Sequence, residues 1–534
     1  MRLAGVCLVT LSLASAAPAA PSAPRLVDLR VSNGGLPFAG DGRLLATVTP
    51  NGDGLRDEAV VRFRLEQPAT VTMGAVRTDT IRSYRSAEAT VWETTANDLE
   101  PGGHRLVWRP AAATPPRTYI LLLTVRDAAG HTRVYGDYRP GQRKNAPVVR
   151  VQSVDLGFAR RSYAPGQVAD FTLGTDASSV RLQAFDFRNS TSALLDPRTS
   201  GRPMTAPLPL DWASHRNAPH HVRFVRTGDW PSGLYFLRAG TNDGRAGYAP
   251  FIVRPRRLGE HRVAVVLSTN TWQAYNFRDA NGDGWGDSWY VSDHTHSVRL
   301  TRPYVDFGIP FRFKDWDLDF LSWLNRLGKS ADYLSDDDLE QTTGPELARD
   351  YDLIVFPGHA EYMTRSGYDA VRHFRDLGGN LMFLSANNFF WSVTRHRQRL
   401  VKGRLWRRLG HPEAGLVGVQ YVGSDGGRRQ GGYVVTGAAD APWAFVGTGL
   451  RDGDAFGRYG VEIDARAPSS PPGTVVLARI PSLLTSGASA EMTYYETPAG
   501  AKVFAAGALN FAASISNPVV SRLVENVWDR LSRP

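Results

Sequence analysis

Tyr351-Asp-Leu-Ile-Val-Phe-Pro357, then Gly358-His359-Ala360-Glu361-Tyr362, and, after a helical run, Gly378-Gly379-Asn380-Leu-Met-Phe-Leu-Ser385-Ala386-Asn387-Asn388-Phe389-Phe390-Trp391 decide how the second half of this chain folds. Each apolar run is bounded by Gly or Pro and is too short for a helix, so each reads as a buried strand. Between them Tyr368, Val371, Phe374 and Leu377 recur at helical spacing, and Gly378-Gly379 supplies the stop. The result is a strand, helix, strand unit. In such units the carboxyl ends of neighbouring parallel strands lie side by side, and ligands bind in the crevice beyond them. His359, Glu361 and Asn387 fall there, with an imidazole and a carboxylate two residues apart on one loop. Polar residues at these positions also cap helices and close turns.

Outward from this unit the same alternation continues. Val263-Ala-Val-Val-Leu267 and Lys502-Val-Phe-Ala-Ala-Gly507 are continuous apolar strands; Leu318, Leu321, Trp323 and Leu324 mark a helix that Gly328 ends, and Val519 to Leu531 an amphipathic closing helix. Residues 256–534 are therefore expected to form a mostly parallel α/β domain with helices on both faces, layered as in flavodoxin-like or glutamine-amidotransferase-like proteins. The Gly-rich segment from Arg395 to Ser489 reads as an insertion partly covering the site, and the cluster from Arg395 to Arg408 as a solvated helix face.

The first half reads differently. Ala59-Val-Val-Arg-Phe-Arg-Leu65, His104-Arg-Leu-Val-Trp108 and Tyr119-Ile-Leu-Leu-Leu-Thr-Val125 alternate in short runs separated by turn residues, which predicts a β-sandwich over 25–145. Val180-Arg-Leu-Gln-Ala-Phe185 and Gly233-Leu-Tyr-Phe-Leu-Arg238 repeat the pattern in a second sandwich over 146–255. Thr49-Pro-Asn-Gly-Asp-Gly-Leu-Arg-Asp57, Pro101-Gly-Gly-His-Arg-Leu-Val-Trp108 and Arg117-Thr-Tyr119 resemble the immunoglobulin-like module of flagellar hook-capping proteins, which implies a spacer or docking role and no chemistry.

Composition bounds the function. The net charge of +10 comes from arginines spread along the chain, where a nucleic-acid protein would gather them in a patch. Residues 1–24, with one early charge, an apolar core and Ala14-Ser15-Ala16, read as a secretory signal peptide, so the protein is expected outside the cell. Its single cysteine, Cys7, lies inside that segment, leaving the mature chain no thiol for a disulfide, a nucleophile or a metal. No later stretch reads as a membrane span. Oligomeric state is not legible.

Gly-x-Ser-x-Gly, His-Glu-x-x-His and Walker motifs are all missing from the sequence. What remains is oxygen-rich: Asn270-Thr271-Trp272-Gln273-Ala274-Tyr275-Asn276, Ser288-Trp289-Tyr290, Arg302-Pro303-Tyr304, the His359 and Asn387 loops, and Gly460-Val461-Glu462-Ile463-Asp464. In this order, from about Trp230 onward, the motifs resemble the C-terminal domain of the large (β) subunit of N,N-dimethylformamidase and its wider family. The resemblance implies a hydrolase of the C–N bond of linear amides, with one iron held by two tyrosines and a glutamate. Carried over by motif, these are Tyr275, Tyr290 and Glu361, with Trp272 competing for the place of Tyr275; His359 and Asn387 line the site and Glu462 is its acid or base. Phenolate and carboxylate are hard donors suited to ferric iron, which would acidify a water and polarise an amide carbonyl while His359 and Asn387 meet the oxyanion.

Two further metal readings arise. Asp279-x-Asn281-x-Asp283-Gly284-x-x-Asp287 carries the oxygens and glycine of a calcium loop, as does, more weakly, Asn51-Gly-Asp53-Gly-Leu-Arg-Asp57; Asx turns are the alternative for both. His294-Thr295-His296 lacks a third ligand and reads as surface or turn histidines. Against the amidase stands a different class, a non-catalytic extracellular protein binding a glycan or another protein, with Trp272, Trp285, Trp289 and Trp391 stacking on sugar rings.

Overall fold

The structure, a computed structural model, describes residues 23–78, 89–137, 145–187, 201–290 and 295–533. The expected signal peptide, with Cys7, lies almost wholly outside the described residues, and so does His294. Strand makes up 40% and helix 17%, distributed over several sheets and more than one domain, so the molecule is mostly β. No helix among the described residues is long and apolar enough to cross a membrane.

A three-stranded sheet (Leu26–Ser32, Ala59–Leu65, Gly102–Trp108) faces a larger one built on Ala69–Arg77 and Thr118–Arg126. Their alternating apolar residues, among them Val61, Phe63, Val71, Met73, Leu121 and Leu123, fill one core with Trp108. Strand Val148–Val151 belongs here too, pairing with Leu45–Val48 and with Thr118–Arg126. A second pair of sheets follows around Val168–Gly174, Ser179–Phe187, Gly233–Thr241 and Ala246–Val253, with Phe171, Leu182, Tyr235 and Phe251 at its centre.

The C-terminal region is organised by one nine-stranded sheet. In chain order its strands are β1 (Val263–Leu267), β2 (Asp332–Ser335), β3 (Leu353–Phe356), β4 (Asn380–Phe383), β5 (Gln430–Val435), β6 (Ala455–Gly460), β7 (Val475–Ile480), β8 (Ala490–Glu496) and β9 (Lys502–Ala505). Across the sheet the order is β2-β1-β3-β4-β9-β8-β7-β5-β6. The pairings from β2 to β9 are parallel, and those from β9 to β6 are antiparallel. Only half of the sheet is thus parallel, and the segment read as an insertion over the site supplies three strands of the other half. Nor is the arginine cluster a helix face: Trp391–His396 and Arg399–Leu405 form an antiparallel hairpin.

The parallel half follows its sequence closely. All four residues of β3 are buried, with Leu353 and Val355 in one core and Ile354 and Phe356 in the other, as alternation on a sheet covered on both faces requires. Helix Arg365–Asp376 starts where the Thr364 hydroxyl accepts the Gly367 amide and buries Tyr368, Val371 and Phe374 against the second core. Leu377, expected on that face, caps the helix end and is 57% exposed. The closing helix Pro518–Leu531 buries Val520, Leu523, Val527 and Trp528, and Asn380 ties it to the sheet through the Leu531 carbonyl at 2.7 Å.

Phe383 anchors the second core, stacked on Phe356 at 5.1 Å and edge-on to Phe389 at 5.6 Å. Phe383→Ala is expected to cost about 3–5 kcal/mol, seen as a lower thermal unfolding midpoint; an unchanged midpoint would contradict this packing.

Candidate functional site

The site forms where β1, β3, β4 and β9 end. The chain leaves β3 through Pro357 and Gly358, and Gly358 is glycine for a reason: a Cβ there would sit 2.6 Å from the Asp317 carboxylate. His359 and Glu361 follow at once. β1 leads into the short helix Thr269–Ala274, fully buried, whose C-cap is Tyr275. The Thr271 hydroxyl accepts the Glu361 amide at 3.3 Å, locking this helix to the histidine loop. Beyond β4 comes Asn387, at φ 57, a left-handed conformation that Asn tolerates better than most residues. Strand Glu462–Ala465 supplies Glu462 and Asp464, and Val461 before it sits at φ 70, a strained state for a β-branched residue.

These residues meet. The Tyr275 hydroxyl donates to Glu361 Oε2 and lies 3.2 Å from His359 Nε2. His359 Nδ1 is 3.1 Å from the Ala386 carbonyl, an acceptor only, so Nδ1 carries a proton and Nε2 faces the carboxylates, 3.3 Å from Glu361 and 3.7 Å from Glu462. Asn387 Nδ2 donates to Glu462 at 2.8 Å, and its main-chain amide donates to both oxygens of Asp464 at 2.9 Å. Asn387 Oδ1 is buried and has no partner. Tyr290 packs against Tyr275 with ring centres 5.1 Å apart and is 44% exposed, so it stands at the mouth of the site.

Burial dominates the electrostatics. It pushes the Glu462 carboxyl up against the opposing pull of His359, and raises Asp464 to about 7 despite the Asn387 amide. His359 goes up as well: burial alone would lower it, and the hydrogen bond to Glu361 with the charges of Glu462 and Glu361 outweighs that. The Tyr275 phenol is held well above its usual range by burial and then by Glu361. Two carboxylates, Glu361 and Glu462, thus share one imidazole, while Asp464 is answered by the Asn387 amide; a cation at the phenol and carboxylate oxygens would relieve their mutual repulsion. Tyr275, Tyr290 and Glu361 carry hard oxygen donors, the kind a ferric ion takes, although among the described residues no three His, Asp or Glu side chains are grouped to hold a metal.

Other expectations fare differently. Trp272 is not a ligand: its indole Nε1 donates to Asp317 Oδ2 at 3.0 Å and its ring packs on Phe313. With its Nδ2 turned to Glu462, Asn387 presents an acceptor, suited to a substrate N–H rather than to an oxyanion. Trp272, Trp285 and Trp289 are buried in cores, so they form no stacking platform for sugars; Trp391 is partly buried under Lys402, 4.2 Å from its ring centre. Asp279, Asn281, Asp283 and Asp287 come together, and their oxygens accept the amides of Asn281, Gly282, Gly284, Asp283, Trp285 and Ala280 in a nest of Asx turns. The Asn51 loop closes in the same way through Asp57, which accepts the amides of Asn51, Gly52 and Gly54.

Sequence reasoning missed three members. Tyr362 is buried beside the site, and after burial it is Glu361 that holds its phenol well above the usual range. Tyr421 packs on Phe390 at 5.0 Å, and after burial it is the charges of Glu462 and Glu361 that raise its phenol. Asp464, quoted as part of a motif, is the residue that fixes Asn387.

Residues 211–522 match the family described as N,N-dimethylformamidase beta subunit-like, C-terminal. Over 134 residues the chain is 31% identical to the N,N-dimethylformamidase beta subunit of Paracoccus aminophilus and 32% identical to that of an Alcaligenes species. Each alignment takes in 25% of this chain and only 17% of the relative. Among solved structures, a Salmonella alpha-2-macroglobulin reacted with methylamine aligns over 42% of this chain and 16% of its own at 10% identity, with a TM-score of 0.20, too low to inform the fold.

Asp317, under the site, gives a test of this burial. It is raised from 3.8 to about 7, chiefly by desolvation. A raised folded value means stability present below about pH 4 and lost as pH climbs to about 7, on the order of 4 kcal/mol in all. Asp317→Asn should therefore lose less stability than the native chain between pH 4.5 and 8 in urea unfolding; equal losses would contradict the buried carboxyl.

Proposed function

Because this chain belongs to the N,N-dimethylformamidase beta subunit-like C-terminal family, we propose that it is a hydrolase of a carbon–nitrogen amide bond, working at the Tyr275, His359, Glu361 and Glu462 cluster. The observation that carries the reading is the convergence of Tyr275, Glu361, His359 and Glu462 on one buried point, from three separate segments of the chain.

Tyr275, Tyr290 and Glu361 would hold a ferric ion, which when bound supplies Lewis acidity toward an amide carbonyl. The chain's own residues do the rest. Glu462, its pKa raised by burial, takes a proton from the water that attacks the carbonyl carbon. A C–O bond forms, the C–N bond breaks, and that proton goes to the departing nitrogen, giving a carboxylic acid and an amine. His359 Nε2, between Glu361 and Glu462, balances the charge on both carboxylates during the transfer. The orphan Oδ1 of Asn387 accepts a hydrogen bond from substrate or water. The aromatic rings at the mouth, Tyr290 and Phe311 at 5.2 Å, favour a small substrate without negative charge, since anions would meet Glu462. The sequence leader would place this chemistry outside the cell.

Glu361→Gln keeps the shape of the site and removes the charge. It is expected to lower kcat/KM for hydrolysis of a simple formamide by at least about a hundredfold, followed by amine release. Activity at the native level in this variant would defeat the assignment.

A further inference from the structure

We infer that the first β-sandwich is a working part of this site: it grips the 279–287 loop through Trp285 and so sets Tyr290 against Tyr275, making Trp285 a positioning residue. For its catalytic consequence the inference rests on the hydrolase reading above; for its geometry it does not.

Tyr275 and Tyr290 are the two ends of one excursion of the chain. Its base is closed by Asp287, whose amide donates to the Arg278 carbonyl at 3.3 Å, and by Trp289, whose amide donates to the Ala274 carbonyl at 2.8 Å, one residue before Tyr275. Arg302, buried beneath, donates through Nη1 to both sides of that base, to the Arg278 carbonyl at 3.1 Å and the Asp287 carbonyl at 2.8 Å. The spacing of the two phenols is thus a property of how this loop is held.

The tip of the loop leaves the C-terminal domain altogether. Trp285, 5% exposed, is buried with Ile120, Ala146 and Val148 of the first sandwich, with Leu45 and Tyr135 packed on them. Thr78 of the same sandwich donates its hydroxyl to the Gly284 carbonyl. The fit is close: a Cβ on Gly282 would stand 2.8 Å from Leu45, and one on Gly284 would run into Ile120. Arg278, at the root of the loop, is held by Asp155 at 2.8 Å. Between tip and base the Asx turns around Asp279 and Asp283 leave little slack, so a loosened tip is felt at the base. The sandwich that provides the grip lies outside the residues that match the family, so a loop of the site is held from beyond the matched region.

The test is hydrogen exchange by mass spectrometry on the full-length chain and its Trp285→Ala and Trp285→Phe variants. Peptides spanning 286–290 should exchange about tenfold faster in Trp285→Ala and at the native rate in Trp285→Phe, with β3 unchanged in both. With ferric iron bound, the tyrosinate-to-iron absorption band should shift and kcat on formamide should fall in Trp285→Ala alone. Thr78→Val, which removes only the hydrogen bond to Gly284, should act in the same direction more weakly and serves where Trp285→Ala does not fold. Faster exchange confined to Thr118–Arg126 and Val148–Val151, with 286–290 unaltered, would overturn the inference. A native chain that hydrolyses no formamide would defeat the hydrolase reading, while the exchange rates would still decide this one.

Discussion

Three buried carboxylates at the ends of a sheet, answered by one imidazole and one main-chain amide, are the constraint around which the C-terminal domain is arranged. Unpaired charge in a desolvated place is costly, and the neighbours of Glu361, Glu462 and Asp464 are there to lower that cost. His359 is oriented by the Ala386 carbonyl so that its free edge meets two of them, and Asn387 adopts a left-handed backbone to give its amide to the third. Tyr275 brings its phenol to Glu361, and Thr271 fixes its main chain. Even so, burial holds the Glu462 and Asp464 carboxyls above the usual carboxylate range. Under the proposed function, a bound cation would meet the charge that remains.

The rest of the molecule can be followed outward from this need. Parallel strands β1, β3, β4 and β9 bring their carboxyl ends together because both faces of the sheet are buried and their apolar runs allow no other register. Glu462 and Asp464 arrive from a strand paired with Gln420–Ser424, so the site needs the later, Gly-rich half of the domain as much as the parallel half. Two sandwiches clasp the same domain through Arg161 with Asp337, Arg278 with Asp155, and Arg117 with Asp306. The tip of the 279–287 loop, with Trp285 as its plug, is the apolar counterpart of those ion pairs.

The strand, helix, strand unit from Tyr351 to Trp391 was legible because fully buried strands announce themselves as uninterrupted apolar runs, and the helix by its spacing. His359, Glu361 and Asn387 could be placed from that unit alone. The antiparallel half was not legible: β5, β6 and β7 carry glycines and arginines, and their ladders contain register shifts that break the two-residue period. Leu377 misled because spacing does not show where a helix stops. Tyr362 and Tyr421 were invisible as site members, since neither alternation nor sequence distance relates them to Glu361. The acidic loop showed its oxygens in the sequence, but not the backbone amides that donate to them or the burial of the tryptophan beside them in the first sandwich.

The most direct measurement of the central claim, that phenols and a carboxylate gather around a deficit of positive charge, is a titration of the full-length chain with ferric iron at neutral pH, followed by visible absorption. A tyrosinate-to-iron band saturating at one ion per chain, and lost in Tyr275→Phe, is the result this account predicts. A chain that stays colourless, or a band that survives the loss of the Tyr275 hydroxyl, would contradict it.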